Sequence, residues 1–371
     1  MEKMKKIKIC FATSALSNQG PPNVIYNILQ FMDYDKFEVS IITMAPEKTI
    51  SRMEEFKKLP IQIYPIAPDG LKNGLSLGIA FRKTLKMIKP DIVHVHCPRS
   101  VLLSFLIPHS CKKMVTIHNF PELSQIIYGK YKGRIIKYLR LMMTRRIEYR
   151  VACSESIAER YNSMGIKTTP IPNGCALPVW NYDQKEKDEI KKRLGLDLNK
   201  KWFLFIGGFV EGKNPGLVVK AFEAFSDNHY GVVLLGDGYL YPDLKIHENN
   251  RILLPGFKNN VYEYVKACDY YISASDSEGL PNALLECMSA GLLSLLSDIP
   301  GHQEVMRKSE TPLGYIFDNS SITSIISSID KATKLDSERS RKTIQDVFSS
   351  YYTAKLMSEN YQDYYLKIAQ R

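Results

Sequence analysis

Long apolar runs are missing from this sequence of 371 residues, and so is the pattern of a secretory signal. A transmembrane helix needs roughly 18 consecutive apolar residues, and no run of that length occurs. The start is basic, but the apolar run that follows it, Ile7–Thr13, has only the length of a strand. A signal peptide has a longer apolar core and a small-residue cleavage site. The sequence therefore predicts a protein that neither spans a membrane nor is exported.

Closely spaced cysteines are also absent, because no two of the seven form a CxxC pair. Most of them lie in apolar segments, which is typical of buried free thiols in a reducing compartment. A structural zinc site is not expected. No DxD-like cluster follows a strand, so no metal is expected at a ligand site either. These features predict a cytoplasmic protein.

Acidic residues are outnumbered, because 39 Asp and Glu stand against 50 Lys and Arg and give a formal net charge of +11. Such an excess admits nucleic acid, an anionic membrane or a phosphorylated substrate as a partner. Segment 130–150 alone holds eight cations against one anion, Glu148. These cations show no aromatic-interleaved RNA motif, so the sequence predicts no nucleic-acid partner. With its apolar stripe, the segment fits either a helix lying on an anionic membrane or a core-packed helix with a solvated basic face.

Strand-length apolar runs alternate with helical patterns in two successive series. The runs are 7–13, 37–44, 61–66, 91–96 and 114–118, then 202–207, 231–236, 251–254, 270–274 and 292–297. This alternation predicts parallel sheets covered by helices on both faces. The fold class is therefore α/β, with two Rossmann-like, doubly wound domains facing each other across a cleft. Ligands of such sheets bind at the carboxyl ends of the strands.

The predicted boundary lies near 172–185, where a turn-rich stretch gives way to a charged one. The first domain is predicted over 1–178 and the second over 179–351. A C-terminal helix at about 352–371, rich in tyrosine, is predicted to pack back on the first domain. A simple C-terminal cap is the alternative for this helix.

Segment 278–286 is the most informative stretch, because a polar turn after a strand leads into a helix that opens at Pro281 or Asn282. Free N–H groups and the dipole at a helix start form an anion site, and Gly279 permits close backbone approach. Glu278 and Glu286 would lie roughly 12 Å apart along a helix. This exceeds the roughly 5–9.5 Å between the carboxylates of a glycoside hydrolase. The two carboxylates therefore fit two parts of one long ligand, or else a loop glutamate and a solvated helix glutamate.

Segment 278–286 closely resembles the signature of the retaining family 4 glycosyltransferases, which have the GT-B fold. Further segments resemble that family in the expected order along nearly the whole chain: 91–96, 116–119, 153–154, 172–174, 206–215, 234–238 and 254–257. The resemblance implies a hexosyltransferase of bacterial surface-polysaccharide type (O-antigen lipopolysaccharide, capsule or exopolysaccharide). It implies a UDP- or GDP-linked sugar donor, no cofactor, and retention on transfer to a hydroxyl of a saccharide or polyprenyl-linked acceptor.

The resemblance also implies roles for three catalytic residues. Glu278 would contact hydroxyls of the transferred sugar, and Lys213 would neutralise the diphosphate, where a positioned cation stabilises the leaving group. His118 would lie at the reacting centre from the first domain. Judged by position alone, a solvated loop lysine and a buried, satisfied histidine remain alternatives. His94 and His96 share one strand face, and we interpret both as structural.

The implied donor-binding set surrounds these groups. Glu286 would hold the ribose, Gly256 and Phe257 would lie near the base, and the amides around 279–282 would bind the diphosphate. The full set is Gly20, Gly208, Gly256, Phe257, Gly279, Leu280, Pro281, Asn282 and Glu286. Because relatives often glycosylate lipid-linked acceptors, the resemblance favours the membrane interpretation of 130–150, on the inner face of the cytoplasmic membrane.

Two departures from the family pattern leave a second hypothesis open. Gly208 stands where the family usually has a cation, so one diphosphate contact is missing or supplied elsewhere. The first loop, Gln19-Gly20-Pro21-Pro22, lacks the family's paired glycines. A non-catalytic GT-B-like scaffold of polysaccharide assembly is therefore the alternative. A nucleotide-dependent oxidoreductase is disfavoured, because Gly236-Asp237-Gly238 lacks the third glycine of the GxGxxG motif.

Overall fold

The computed structural model describes residues 5–18, 20–47, 50–70, 74–124, 129–335 and 337–370. The chain forms two compact units, Met1–Ala176 with Ala354–Arg371, and Leu177–Thr353. Across the described ranges, no helix has both the length and the apolar character needed to cross a bilayer.

The first unit is built on a parallel sheet, which has seven strands among the described residues. They are β1 (Ile7–Thr13), β2 (Phe37–Thr43), β3 (Ile61–Pro65), β4 (Ile92–Val95), β5 (Lys112–Ile117), β6 (Tyr149–Ala152) and β7 (Thr169–Pro170). Their order is β3-β2-β1-β4-β5-β6-β7, and all pairs are parallel. Strand β4 is buried along its whole length, as expected where helices cover both faces of a parallel sheet.

Helices cover this first sheet. They are α1 (Gly20–Gln30), α2 (Met53–Phe56), α3 (Gly74–Ile88), α4 (Pro98–Leu102), α5 (Lys130–Arg146) and α6 (Glu155–Ser163), with a 3-10 helix at Leu103–Leu106. Helix α1 buries Val24, Ile25 and Ile28, which share one face at helical spacing. Ser154 caps α6, because its hydroxyl accepts a hydrogen bond from the backbone N–H of Ile157.

The second unit is built on another parallel sheet. Within the described part of the chain its strands are β8 (Lys201–Ile206), β9 (Tyr230–Leu235), β10 (Ile252–Gly256), β11 (Tyr270–Ser273), β12 (Leu293–Ser297) and β13 (Gly314–Phe317). The order is β10-β9-β8-β11-β12-β13, so the chain progresses in opposite directions on either side of β8 and β11. The carboxyl ends of these two neighbours mark the topological switch point of the sheet, where open α/β sheets bind ligands.

Helices also flank the second sheet. They are α7 (Gln184–Leu194), α8 (Pro215–Ala224), α9 (Tyr241–Lys245), α10 (Val261–Ala267), α11 (Asn282–Ser289), α12 (Pro300–Met306), α13 (Ile322–Thr333) and α14 (Ser337–Tyr351), with a 3-10 helix at Glu211–Lys213. Buried charges attach α7 to the sheet, because Lys187 Nζ lies 2.7 Å and Lys191 Nζ 3.7 Å from the Asp269 carboxylate. Burial alone would raise the pKa of Asp269, but the two lysines hold it below its usual value.

The last helix, α15 (Ala354–Ala369), belongs to the first unit and packs on α1. The Ser358 hydroxyl donates to the Ile28 carbonyl at 2.7 Å. Tyr361 and Tyr365 are fully buried within the same apolar cluster as β1 and α1. The predicted fold class, two Rossmann-like α/β domains with parallel sheets, is thereby confirmed at the level of the two sheets.

Candidate active site

Lys213 and Glu278 form an ion pair at the switch point of the second sheet. Lys213 ends the 3-10 helix that follows β8, and Glu278 lies in the loop that follows β11. Lys213 Nζ donates to Glu278 Oε1. The structure therefore brings together two of the three predicted catalytic residues, at the edge of the sheet where ligands of this fold class bind.

The two loops that carry this pair are also joined by further hydrogen bonds. Asn214 has a left-handed conformation with φ 50°, and its side-chain Nδ2 donates to the Ala274 carbonyl at 3.0 Å and to Asp276 Oδ1 at 2.6 Å. The Asp276 N–H donates to the Gly212 carbonyl at 3.0 Å. These hydrogen bonds fix the loop after β8 against the loop after β11, so the positions of Lys213 and Glu278 are set before any ligand binds.

The environment of Glu278 keeps its carboxylate ionised. Its side chain is 13% exposed, and Ser275 Oγ donates to the same Oε1 atom at 2.8 Å. Burial alone would raise the pKa of Glu278, but the attraction of Lys213 and the hydrogen bonds hold it below its usual value. An ionised carboxylate only accepts hydrogen bonds, which suits it to the hydroxyl groups of a ligand.

A second layer of polar residues supports Ser275 from behind. Ser297, at the end of β12, donates through its hydroxyl to the Ser275 carbonyl at 2.6 Å. His302, on α12, has Nδ1 3.0 Å from the Ser297 carbonyl, so Nδ1 carries the proton and donates it. Burial lowers the pKa of His302 to about 4, which keeps the ring neutral at neutral pH. The sequence analysis missed both Ser297 and His302, although Pro300-Gly301 after a strand does signal a helix start.

Gly301 allows helix α12 to lie directly on the loop of Glu278. A Cβ atom at Gly301 would lie 2.5 Å from the Glu278 carbonyl oxygen and 2.3 Å from that of Gly279. Cβ atoms do not approach backbone oxygens so closely, so a side chain here would displace the loop. Gly301 is therefore a further residue on which the site depends and which the sequence analysis did not identify.

Helix α11 begins directly after this loop, with Pro281 at its N-cap position. Gly279 and Leu280 are buried, while Pro281 and Asn282 are half-buried. The first N–H groups of a helix have no partner within the helix and can bind an anion. Asn282 Oδ1 is buried and has no hydrogen-bond partner among the described residues. Glu286 lies further along α11 and is half-buried.

Glycines draw the carboxyl ends of β8 and β9 together. A Cβ atom at Gly236 would lie 1.8 Å from the Gly207 carbonyl oxygen, and one at Gly238 would lie 2.4 Å from that of Phe209. Both glycines have strongly positive φ angles, 154° and 157°. These positions therefore require glycine, because any side chain would clash with the neighbouring backbone. Close packing of β8 and β9 thus accounts for the two glycines of Gly236-Asp237-Gly238.

Three of the predicted donor-binding residues lie along the same edge of the second sheet. Gly256 ends β10 with φ 80°, and its carbonyl accepts a hydrogen bond from the Gly236 N–H at 3.2 Å. Phe257 follows it and is partly exposed. Gly208 has ordinary packing space, because the nearest atoms to a Cβ there, including the Asp237 carbonyl oxygen, are 3.9 Å away.

His118 and Gly20 lie in the first unit. His118 follows β5, and its Nε2 lies 3.1 Å from Nδ1 of His96. Burial lowers the pKa of His118 to about 4, so it is neutral at neutral pH. Gly20 is the first residue of α1, and a Cβ atom there would meet no atom within 4 Å. The neighbouring Gln19 lies outside the described residues.

His94 is a structural residue, as its position on the strand suggested. It is fully buried, and both of its ring nitrogens are hydrogen-bonded: Nδ1 to the Tyr365 hydroxyl and Nε2 to the Thr116 hydroxyl, each at 2.8 Å. Thr116 Oγ1 is in turn 2.9 Å from the Tyr361 hydroxyl. The two tyrosines belong to α15, so the last helix fixes the histidine-bearing strand of the first unit.

Comparisons with known proteins fit these two units. The chain is 27% identical over 293 residues to UDP-Gal:alpha-D-GlcNAc-diphosphoundecaprenol alpha-1,3-galactosyltransferase of Escherichia coli, covering 73% of this chain and 75% of the relative. It is 27% identical over 312 residues to N-acetylgalactosamine-N,N'-diacetylbacillosaminyl-diphospho-undecaprenol 4-alpha-N-acetylgalactosaminyltransferase of Campylobacter jejuni, covering 76% and 79%. The crystal structure of Anabaena Alr3699/HepE with UDP and glucose superposes with a TM-score of 0.80 at 14% identity, over 96% and 98% of the two chains.

The two parallel sheets and the structural likeness define the GT-B fold, and the two relatives define the class of protein, a glycosyltransferase. The family model described as Glycosyltransferase Family 4 matches residues 19–177, and that described as Glycosyl transferases group 1 matches residues 186–346. The chain belongs to the family 4 glycosyltransferases. Membership favours an enzyme over the non-catalytic scaffold that Gly208 had left open.

Proposed function

We propose that this glycosyltransferase moves a hexose from a UDP- or GDP-linked donor to a hydroxyl of a lipid-linked saccharide, with retention of configuration. The product would be a surface polysaccharide such as O-antigen, capsule or exopolysaccharide. The names of both relatives include a sugar linked to diphosphoundecaprenol, and this supports the acceptor class. The observation that carries the proposal is the Lys213–Glu278 ion pair at the switch point of the second sheet.

Lys213 and Glu278 divide the donor between them in this proposal. The Glu278 carboxylate accepts hydrogen bonds from hydroxyls of the transferred sugar. Lys213 has three N–H donors, so it can hold Glu278 and a phosphate oxygen at the same time. Negative charge gathers on the diphosphate as the glycosidic bond breaks, and a fixed ammonium stabilises that charge in a partly buried site. The amides around 279–282 at the start of α11 add to this stabilisation.

The remaining donor-binding residues contact the nucleotide and its phosphates in this proposal. Glu286 binds the ribose, and Gly256 with Phe257 borders the base. Gly208 and Gly20 border the phosphates. No metal is required, because Lys213 and the helix start supply positive potential where a bridging cation would otherwise act.

Retention follows from a front-face reaction in our proposal. The acceptor oxygen bonds to the anomeric carbon on the side from which the phosphate oxygen departs. The acceptor hydroxyl gives its proton to that phosphate oxygen, so no protein base is consumed. His118 lies at the transferred sugar in this scheme, and the protein contributes positioning and electrostatics.

Donor screening tests the proposal directly. A ligand that binds only the native state raises the melting temperature of the protein. At a ligand concentration a hundred times the dissociation constant, the free energy of unfolding rises by about 2.7 kcal/mol. We expect one of the UDP- or GDP-sugars to stabilise the protein and to be consumed with a polyprenyl-diphosphate saccharide. The Lys213→Ala variant should lose both effects. Stabilisation by neither nucleotide sugar, or equal stabilisation of wild type and variant, would contradict it.

Helix α5 supports a peripheral place on an anionic membrane. Tyr131, Ile135 and Tyr138 form an exposed apolar stripe at helical spacing, with exposures of 80%, 62% and 65%. The exposed cations Lys132 and Arg134 flank it. An apolar stripe bordered by cations is the pattern of a helix that lies in the headgroup region, on the cytoplasmic face where anionic lipids are found.

Vesicle sedimentation tests the membrane proposal. Wild type should sediment with vesicles containing phosphatidylglycerol, and less so with neutral vesicles or in high salt. Replacing Tyr131, Ile135 and Tyr138 by serine should abolish sedimentation. Ile246→Ser is a matched control, because Ile246 in the second unit is also 80% exposed. Sedimentation that is indifferent to lipid charge and to the α5 substitutions would refute the proposal.

A further inference from the structure

His96 differs from His94 in its hydrogen bonding, although both are buried: His94 lies on β4, and His96 directly follows that strand. Its side chain is only 2% exposed. Its Nδ1 lies 3.1 Å from Nε2 of His118, within hydrogen-bonding distance. Its Nε2 is buried and has no partner among the described residues. This unequal bonding of the two ring nitrogens fixes where the proton of each ring can lie.

A hydrogen bond between two neutral imidazoles requires that one nitrogen carries the hydrogen and the other accepts it. If His118 Nε2 donated, His96 Nδ1 would have to accept, and the proton of His96 would sit on Nε2. That arrangement leaves a buried N–H without a partner, which native structures rarely tolerate. If His96 Nδ1 donates instead, its Nε2 keeps only an unpaired acceptor. Only the arrangement in which His96 Nδ1 donates to His118 Nε2 leaves no buried N–H of His96 without a hydrogen-bond acceptor.

We infer that His96 is a positioning residue that holds the proton of His118 on Nδ1, so that His118 meets the sugar as a hydrogen-bond donor. The inference rests on the proposed place of His118 at the transferred sugar. With Nε2 of His118 engaged as an acceptor, Nδ1 is the ring atom that remains for a ligand. His118 then cannot serve as the base that removes the proton of the acceptor hydroxyl.

The surroundings of His96 hold its ring in this orientation. The rings of His94 and His96 are 4.0 Å apart between centroids, and the ring of Phe11 lies 5.6 Å from that of His96. His94 is itself held at both nitrogens by Tyr365 and Thr116. Burial lowers the pKa of His96 and of His118, so each ring carries a single proton at neutral pH. The two-proton alternative is therefore excluded under working conditions.

Nitrogen NMR of the full-length protein, labelled with ¹⁵N-histidine, tests the inference without reference to activity. Wild type should show His118 with a protonated Nδ1 and an unprotonated Nε2. His96→Asn keeps an amide N–H near the position of Nδ1 and should preserve that tautomer. His96→Phe removes the donor and should release His118 to the Nε2-protonated form. A wild-type His118 protonated on Nε2 would overturn the inference, as would an unchanged tautomer in His96→Phe.

Tyr365→Phe is the matched structural control. It removes a buried hydroxyl from the same cluster, so it should lower the melting temperature without moving the proton of His118. Turnover should follow the tautomer: His96→Phe should lose on the order of tenfold to a hundredfold in kcat, and His96→Asn should recover most of it. Turnover that follows thermal stability across the three variants, irrespective of tautomer, would assign His96 a structural role alone.

His118→Ala separates this inference from the proposed function. If that variant retained wild-type turnover, the place of His118 at the sugar would be wrong, while the wild-type spectrum would still report on His96. A normal loss in His118→Ala together with an Nε2-protonated wild type would leave the function standing and refute the role of His96.

Discussion

The two units share one kind of sheet but hold opposite kinds of candidate site. In the second unit, Glu278 is ionised beside an ammonium group, and attraction overcomes the cost of burial. In the first unit, His118 has a neutral imidazole as its partner, so burial alone decides and lowers its pKa to about 4. The partner group therefore decides the charge: the ammonium of Lys213 keeps Glu278 ionised, whereas a neutral imidazole leaves His118 uncharged.

The difference matches the two ends of the proposed substrate. In the proposed function a diphosphate needs opposing charge, which Lys213 and the start of α11 in the second unit would supply. In the same proposal the sugar hydroxyls meet the Glu278 carboxylate as an acceptor, and the neutral His118 of the first unit adds its Nδ1 as a donor. Substitutions that add or remove a charge should therefore change turnover most in the second unit. In the first unit, substitutions that change the tautomer of His118 should have the larger effect on turnover.

The largest effect should come from Glu278. Replacing it by Ala removes the acceptor for sugar hydroxyls and leaves Lys213 without its partner, so we expect turnover to fall by on the order of a hundredfold or more. Glu278→Gln keeps the shape but cannot accept at both atoms, and it should fall almost as far. Steady-state kinetics with the donor found by screening measure both. Wild-type rates in either variant would remove Glu278 from the site.

The second effect concerns acid stability and His302. Its folded pKa of about 4 lies below the ordinary 6.5, so its neutral ring favours the folded state above pH 6.5. This stability is lost as the pH falls from 6.5 towards 4, and it amounts to about 3 kcal/mol. His302→Asn keeps a donor near Nδ1 but does not titrate. Thermal unfolding across this range should therefore show a shallower decline in the variant, and parallel curves would show that His302 is not the titrating group.

A third effect tests how tightly the loop of Glu278 is held. Gly301→Ala would put a methyl group 2.3 Å and 2.5 Å from two backbone oxygens, so the loop must shift. We expect about a tenfold loss in kcat/KM for the donor, smaller than that of Glu278→Ala because the charged groups remain. Gly74→Ala is the matched control, since a Cβ there meets no atom within 4 Å. Equal activity of the two variants would show that the packing of α12 on the loop is not critical.

The sheets could be predicted from the sequence where strands are long and apolar. All ten predicted strands are present, and β1 has the predicted bounds. Strands β6, β7 and β13 were not predicted. They have only four, two and four residues, and β6 opens with Tyr149 and Arg150 directly after a basic helix. Such short strands, of which β7 is exposed at both residues, form because the neighbouring strand offers hydrogen bonds and not because their own sequence pattern favours a strand.

The candidate site could be predicted only in part, for a similar reason. Glu278 and Lys213 are recognisable from local patterns, a turn before a helix and a lysine after a strand. Their direct contact depends on β8 lying next to β11, which no local pattern encodes. Ser297, His302 and Gly301 reach the site through β12 and α12, elements whose sequence gives no sign of what lies beside them. Tertiary pairing alone brings these residues to Glu278.

The smallest effect should come from restoring the cation that Gly208 replaces. The nearest atoms to a Cβ at this position are 3.9 Å away, so a side chain can be added there without a clash. Gly208→Arg would add a second cation, in addition to Lys213, for the diphosphate in the second unit. We expect the donor KM to fall by about fivefold, which corresponds to about 1 kcal/mol for a solvent-accessible ion pair. Gly208→Ala adds bulk without charge and should leave KM near the wild-type value. Because the gain depends on a phosphate being bound at this edge of the sheet, an unchanged KM in Gly208→Arg, with its fold intact, would mean that the diphosphate lies elsewhere.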